Sequence, residues 1–149
     1  MSLARTLAVM RNAPFLGALG EEGLKLLAFG SDPVNLKPRQ SLFDAGDQAD
    51  DAILVLGGQL RLIPEAADVG PRVYSVGQLV DELALIVPIT RSASAIAQTS
   101  CEVMPLPRAK MLRILEEYPQ AAERLKARIA RQTTEFVGEL DALGARLRG

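Results

Sequence analysis

The chain has 149 residues, of which 48% are hydrophobic and 23% charged, with a net charge of −1. That length suits one domain with a real core, and the near-neutral balance gives no general attraction to nucleic acid or an anionic membrane. With no histidine and one cysteine, Cys101, the chain excludes Ser-His triads, His-ligated zinc, non-haem iron or haem, an internal disulfide framework and four-cysteine metal sites.

Ser2 to Met10 carries Leu3, Leu7 and Met10 at helical spacing, which predicts a short helix packed on a neighbour. Pro14-Phe15-Leu16-Gly17 breaks it. A second helix is expected over Glu21 to Phe29, with Leu24, Leu26 and Leu27 for the core and Gly30 as a stop. No apolar run reaches the ~20 residues that span a bilayer, and the N-terminus lacks a signal-peptide apolar region, so the expected location is cytoplasmic.

From Ser31 the pattern changes. Pro33, Pro38, Gly46, Gly57, Gly58, Pro64, Gly70, Pro71 and Gly77 cut the chain into short pieces rich in Val, Ile and Leu. Such pieces predict a compact antiparallel sandwich or roll over residues 31–107. Gly46 and Gly70 read as tight turns with positive φ, while Gly57 and Gly58 also suit backbone close to a ligand. Glu65 to Pro71 reads as a hairpin loop.

The stretch from Gly77 to Ala95, GQLVDELALIVPITRSASA, places ligand-type chemistry inside an apolar run. A turn leading into Glu82-Leu83-Ala84-Leu85 exposes the unpartnered amides of a helix start, which attract an anion. Arg91 adds a permanent fork-shaped cation suited to a phosphate. Glu82 is an acceptor when ionised and suits sugar hydroxyls. Together they fit a ligand that is both phosphate and sugar; the alternative is an exposed turn in which Glu82 and Arg91 pair with each other.

Beyond it, Ser94 to Leu106 alternates like a strand and closes the roll, with Cys101 as a small core residue rather than a nucleophile. Pro105 and Pro107 are expected to end it. Arg108 to Glu117 is amphipathic, with Met111, Leu112, Ile114 and Leu115 inward, and Tyr118-Pro119 starts a new helix. That helix carries Leu125, Ile129, Gln132, Phe136, Leu140, Leu143 and Leu147, a near-heptad seam that predicts a homodimer through paired C-terminal helices. The alternative is a helix lying back on its own domain. Arg124, Arg128 and Arg131 share a face that reads as solvated. From Arg108 onward nine Lys/Arg stand against six Asp/Glu, a mixed surface and not a DNA footprint.

The 77–95 segment resembles the phosphate-binding cassette of the cyclic nucleotide-binding domain family. Glu82-Leu83-Ala84-Leu85 and Arg91-Ser92-Ala93 match its pattern, with a spacer length that the family uses. The N-terminal helices and the Gly46-Asp47 turn between strands are similar to the family's as well, so the resemblance runs from Pro14 to about Gln132. It implies a mainly β fold: one domain, 1–149, built as a jelly-roll-like antiparallel β-roll (a double-stranded β-helix) with helices over 1–30 and 108–149.

By that resemblance Glu82 takes the ribose 2′-hydroxyl, while Arg91 and Ser92 take the cyclic phosphate. Ser92 is compatible with adenine or guanine nucleotides, and cAMP leads cGMP as the commoner ligand among relatives. Phe136 and Val137 fall where a relative contacts the base, one turn after Thr133 and Thr134; Phe136 either stacks on the base or sits in the core. No cofactor and no enzymatic role is implied. The chain ends without room for the helix-turn-helix of the family's bacterial transcription factors, so no DNA-binding domain is expected.

Asp81 departs from the pattern, standing where the family mostly has glycine. As an N-cap it would accept from the amides that a phosphate wants; pointing to solvent, it would leave Glu82 and Arg91 free. Two expectations follow: a cyclic nucleotide sensor, weaker than a relative with glycine there, that signals through its last helix to a protein partner, or a degenerate domain that binds no nucleotide and serves dimerisation or protein interaction.

Overall fold

The computed structural model describes residues 2–13 and 15–131. Helix α1 (Leu3–Asn12) is capped by the Ser2 hydroxyl, which accepts from the Arg5 amide at 3.2 Å. Leu7 and Met10 are buried, but Leu3 is 54% exposed. Helical spacing fixes a stripe, not how far along it the neighbours reach. A 3-10 turn (Leu16–Leu19) leads into α2 (Gly20–Ala28), which ends before Gly30 at φ 75°. Leu24 and Leu27 enter the core, while Leu26, expected there, faces outward.

Ten strands follow: β1 (Val34–Leu36), β2 (Ser41–Phe43), β3 (Gln48–Ala49), β4 (Asp51–Gly57), β5 (Leu60–Pro64), β6 (Arg72–Tyr74), β7 (Leu79–Val80), β8 (Ile89–Thr90), β9 (Ala93–Ala97) and β10 (Cys101–Pro107). They form sheets in the orders β1-β10-β4-β7 and β2-β9-β5-β6, with β3 paired to β8. Among the described residues every strand pairing is antiparallel, as a β-roll requires. The 65–71 hairpin loop joins β5 to β6 as expected.

Strand β4 explains how the roll carries two cores. Ala52, Leu54 and Leu56 face a cluster with the N-terminal helices, and Ile53 and Val55 face the interior between the sheets. Alternation along β10 does the same, sending Met104 and Leu106 one way and Cys101 and Val103 the other. A strand buried on both faces reads as the continuous apolar run seen in Ala52-Ile53-Leu54-Val55-Leu56.

Local details depart from expectation in part. Pro105 lies inside β10 and Pro107 ends it; β1 pairs only with Cys101 to Val103, so Pro105 faces an edge that needs no N–H. Gly58 is fixed by backbone packing: at φ 73°, a Cβ there would lie 2.0 Å from the Ser100 carbonyl oxygen. Gly46 has positive φ, but Gly70 does not, because the longer β5–β6 loop turns without it.

After β10 come α3 (Arg108–Glu117) and a helix over residues 119–131, here α4, with Pro119 at its first position. Met111 and Ile114 are buried, Leu115 is half-buried, and Leu112 is exposed against expectation. The first two seam residues pack on the chain's own core, Leu125 fully and Ile129 in part. Gln132, Phe136, Leu140, Leu143 and Leu147 lie outside the described residues. Among the described residues, no helix is long and apolar enough to cross a membrane.

Candidate functional site

The cassette begins at a turn. Gly77, at φ 88°, donates its amide to Val55 O at 2.9 Å, and the Gln78 side chain accepts from the Ser75 amide at 2.7 Å. Strand β7 then runs beside β4 for two residues, with Val80 in the roll interior. At Asp81 the backbone turns left-handed, φ 55° and ψ 51°, and winds into a 3-10 turn, Glu82–Leu85. Ala84 and Leu85 are buried and fasten that turn to the fold, while Leu83 is exposed. From behind, Arg108 Nη1 donates to the carbonyls of Ala49 (2.9 Å), Ala84 (3.2 Å) and Val87 (3.3 Å), satisfying the turn's far end.

Arg91, just ahead of β9, is only 5% exposed. Its Nη2 donates to Asp51 Oδ1 at 2.5 Å and its Nη1 to Asp81 Oδ2 at 3.0 Å. The guanidinium carbon lies 4.3 Å from the centroid of the Phe43 ring. The backbone is clamped as well: Arg91 N donates to Asp47 O, and Gly46 N donates to Arg91 O, both at 2.8 Å. Sheet and turn therefore hold one buried cation in fixed orientation, with two carboxylates sharing it.

Asp81 thus does neither thing expected of it. It makes no side-chain cap to the turn and does not point to solvent. The left-handed backbone aims its carboxylate at Arg91, and a charge-assisted bond to a buried guanidinium outweighs a bond to a neutral amide. Nor do Glu82 and Arg91 pair with each other; Arg91's partners are Asp51 and Asp81.

Glu82 is half-buried. Burial pushes its carboxyl above the ordinary value, and the positive charge of Arg128 on α4 partly offsets this. Arg128 Nε is itself buried with no hydrogen-bond partner. The arginine face of α4 is therefore not simply solvated: Arg128 is half-buried, and Arg124 donates to Ala18 O at 2.8 Å and Leu19 O at 3.3 Å.

Two cavities flank this arrangement. One, of about 270 Å³, is lined by Ser92, Ala93, Asp81, Arg72 and Tyr74 among others. The second, also about 270 Å³, is lined by Glu82, Leu83, Leu79, Ile89, Asp81 and Tyr74. Asp81 and Tyr74 belong to both walls, and Arg72 lies 5.9 Å over the Tyr74 ring. Ser92 is exposed and Ala93 is buried opposite Pro64. Glu82, Leu83, Ala84, Arg91, Ser92 and Ala93 are thus brought into one region. Thr133, Thr134, Phe136 and Val137 lie outside the described residues.

Sequence reasoning missed four participants: Phe43, Asp51, Arg108 and Arg128. Asp51 had a signal, as a charge heading a strand otherwise buried on both faces. Cys101 is buried, and burial pushes its thiol up, as a small core residue requires. Among the described residues, no group of three His, Cys, Asp or Glu side chains is placed to hold a metal ion.

A family model described as the cyclic nucleotide-binding domain matches residues 33–118. The chain is 30% identical over 138 residues to the Thermus thermophilus cyclic AMP receptor protein, covering 90% of this chain and 63% of that one. It is 26% identical over 119 residues to Neurospora crassa lysophospholipase nte1, covering 78% of this chain and 8% of that protein's length. Among solved structures, the N-terminal domain of a transcriptional regulator from Streptomyces coelicolor superposes with a TM-score of 0.79 at 26% identity, covering 89% of this chain and 94% of that one.

Proposed function

The chain belongs to the cyclic nucleotide-binding domain family, and from that premise we propose that it is a regulatory module taking a cyclic nucleotide, cAMP ahead of cGMP, at the 77–95 cassette. One observation carries this reading: two adjoining cavities share Asp81 and Tyr74 as walls, with Ser92 lining one and a desolvated Glu82 the other, and Asp81 bonds the buried, oriented Arg91. In this reading the cyclic phosphate takes Arg91 and the Ser92 hydroxyl, and the ribose 2′-hydroxyl donates to Glu82. Leu83, Ala84 and Ala93 shape the backbone around them. The base extends towards the C-terminal helix, with Phe136 and Val137 as its proposed contacts.

The name of the Thermus relative supports cAMP. Signal passage through α4 is supported by Arg128, whose charge acts on Glu82. We further propose a cytoplasmic homodimer through the C-terminal helix, with a protein partner downstream and without DNA or membrane contact. Because the chain spans 8% of the lysophospholipase's length, no enzymatic activity is carried over from that relative.

A second reading is favoured by the Asp81–Arg91 contact at 3.0 Å. If that pair never opens, the cassette takes no nucleotide and the domain serves only dimerisation or protein interaction. Calorimetry and thermal shift with cAMP and cGMP decide between them. The sensor reading expects saturable heat with cAMP, weaker with cGMP; no heat and no shift at millimolar ligand selects the interaction module.

A further inference from the structure

We propose that Asp81 is an intramolecular stand-in for the ligand's phosphate, so that nucleotide binding exchanges one anion for another on Arg91 rather than filling an open site. The inference rests on the nucleotide-sensor reading and adds its regulation.

The two carboxylates on Arg91 are not equivalent. Asp51 heads β4, the strand buried on both faces, and meets Nη2 at 2.5 Å. Asp51 and the Phe43 ring already give this cation a charged and an aromatic partner. Asp81 adds a second negative charge, which leaves the cluster net negative. It does so from the walls of both cavities, where Ser92 lies on one side and Glu82 on the other. Arg91 itself lines neither cavity, so a phosphate entering from either one meets Nη1 only where Asp81 now bonds it.

The backbone supplies the second half of the device. Among the described residues, Asp81 is one of two non-glycine residues with positive φ. A left-handed backbone is uncommon outside glycine, though aspartate and asparagine adopt it at modest cost, and the bond to Arg91 holds Asp81 there. Loss of that bond lets Asp81 relax. Because Asp81 joins β7 directly to the Glu82–Leu85 turn, its relaxation re-aims Glu82, coupling phosphate arrival to the sugar-side carboxylate. The closed population lowers the apparent affinity by the fraction of molecules in which Asp81 occupies Arg91.

The test compares cAMP binding by calorimetry to the full chain and to Asp81→Asn, Asp81→Gly and Asp51→Asn, with folding checked by circular dichroism. Asn tolerates the left-handed backbone while removing the charge, and Gly removes side chain and strain together. The exchange expects affinity to rise about ten-fold or more in Asp81→Asn, the size of one charge-assisted contact, and at least as much in Asp81→Gly. Asp51→Asn should not tighten binding. Tight binding by the Asp81 variants when wild type shows none overturns the exchange, because Asp81 then blocks the native cassette outright and the interaction reading holds. Equal affinity in wild type and both Asp81 variants overturns the exchange while the sensor reading stands. An equal gain in Asp51→Asn also overturns it, assigning the effect to overall charge. No binding by any of the four overturns exchange and sensor reading together.

Discussion

Arg91 is 5% exposed and meets two carboxylates and an aromatic ring, whereas Glu82, at the other end of the same cassette, is half-buried, held above its ordinary pKa and faced by a cation on another helix. The first charge is satisfied inside the fold. The second carries a desolvation penalty that Arg128 only partly offsets. Arg91 has become part of the architecture, because a buried guanidinium must be paired before any ligand arrives. Glu82 keeps acceptor capacity, and the fold leaves it beside a cavity.

The contrast breaks most visibly at Arg91. Replacing it with methionine leaves Asp51 and Asp81 facing each other without their shared cation. Stability should fall by about 3 kcal/mol, the low end for one-sided loss of a buried ion pair, since both carboxylates keep some solvent. Urea denaturation measures it, and cAMP binding should vanish in the same variant. A loss below about 0.5 kcal/mol, the scale of a surface pair, would make Arg91 a ligand residue with no structural role.

Glu82→Gln sharpens the same comparison from the other end. Gln has similar shape and carries no charge to desolvate, so the urea midpoint should hold or rise. Affinity for cAMP should drop about ten-fold, the scale of a hydrogen bond to a charged group. A variant that unfolds more easily yet binds as before would reverse the assignment of the two residues.

The roll was legible because its signals are local. Gly and Pro punctuation marks the turns, and the doubly buried Ala52 to Leu56 run announces a central strand. The cassette's own residues were legible by motif. Its partners were not: Asp51 and Arg91 are 40 residues apart, and only the roll's pairing of β4 with β7, and the return through β8, brings them together. Asp81 was misread for a related reason. An aspartate before a helical turn looks like a cap, and nothing in the spacing reveals a left-handed φ or a buried cation close enough to outcompete the amides. Its one clue was that the family pattern it resembles expects glycine there, a residue that adopts left-handed backbone without strain. Arg128 was hidden by its long stem, which lets a charge on an apparently solvated face reach inward.

The smallest expected effect separates the two ends by pH. Arg91 stays charged throughout the accessible range, so titration acts on carboxylates alone. Glu82 holds its proton more tightly folded than unfolded. Its penalty is therefore fully present above the folded pKa and disappears as pH falls below the unfolded one, so this residue's contribution to stability improves with acid. Binding moves the opposite way, because the ionised carboxylate is the stronger acceptor for a ribose hydroxyl. cAMP affinity should weaken as pH drops through Glu82's folded pKa, at higher pH than for an ordinary glutamate. Asp81 lines the same cavity and Arg128 faces Glu82 from α4, so the difference between wild type and Glu82→Gln, measured at each pH, isolates the residue. A few-fold loss confined to wild type assigns the titration to Glu82. Parallel pH profiles would place it elsewhere and leave Arg91 as the cassette's only ligand-directed charge.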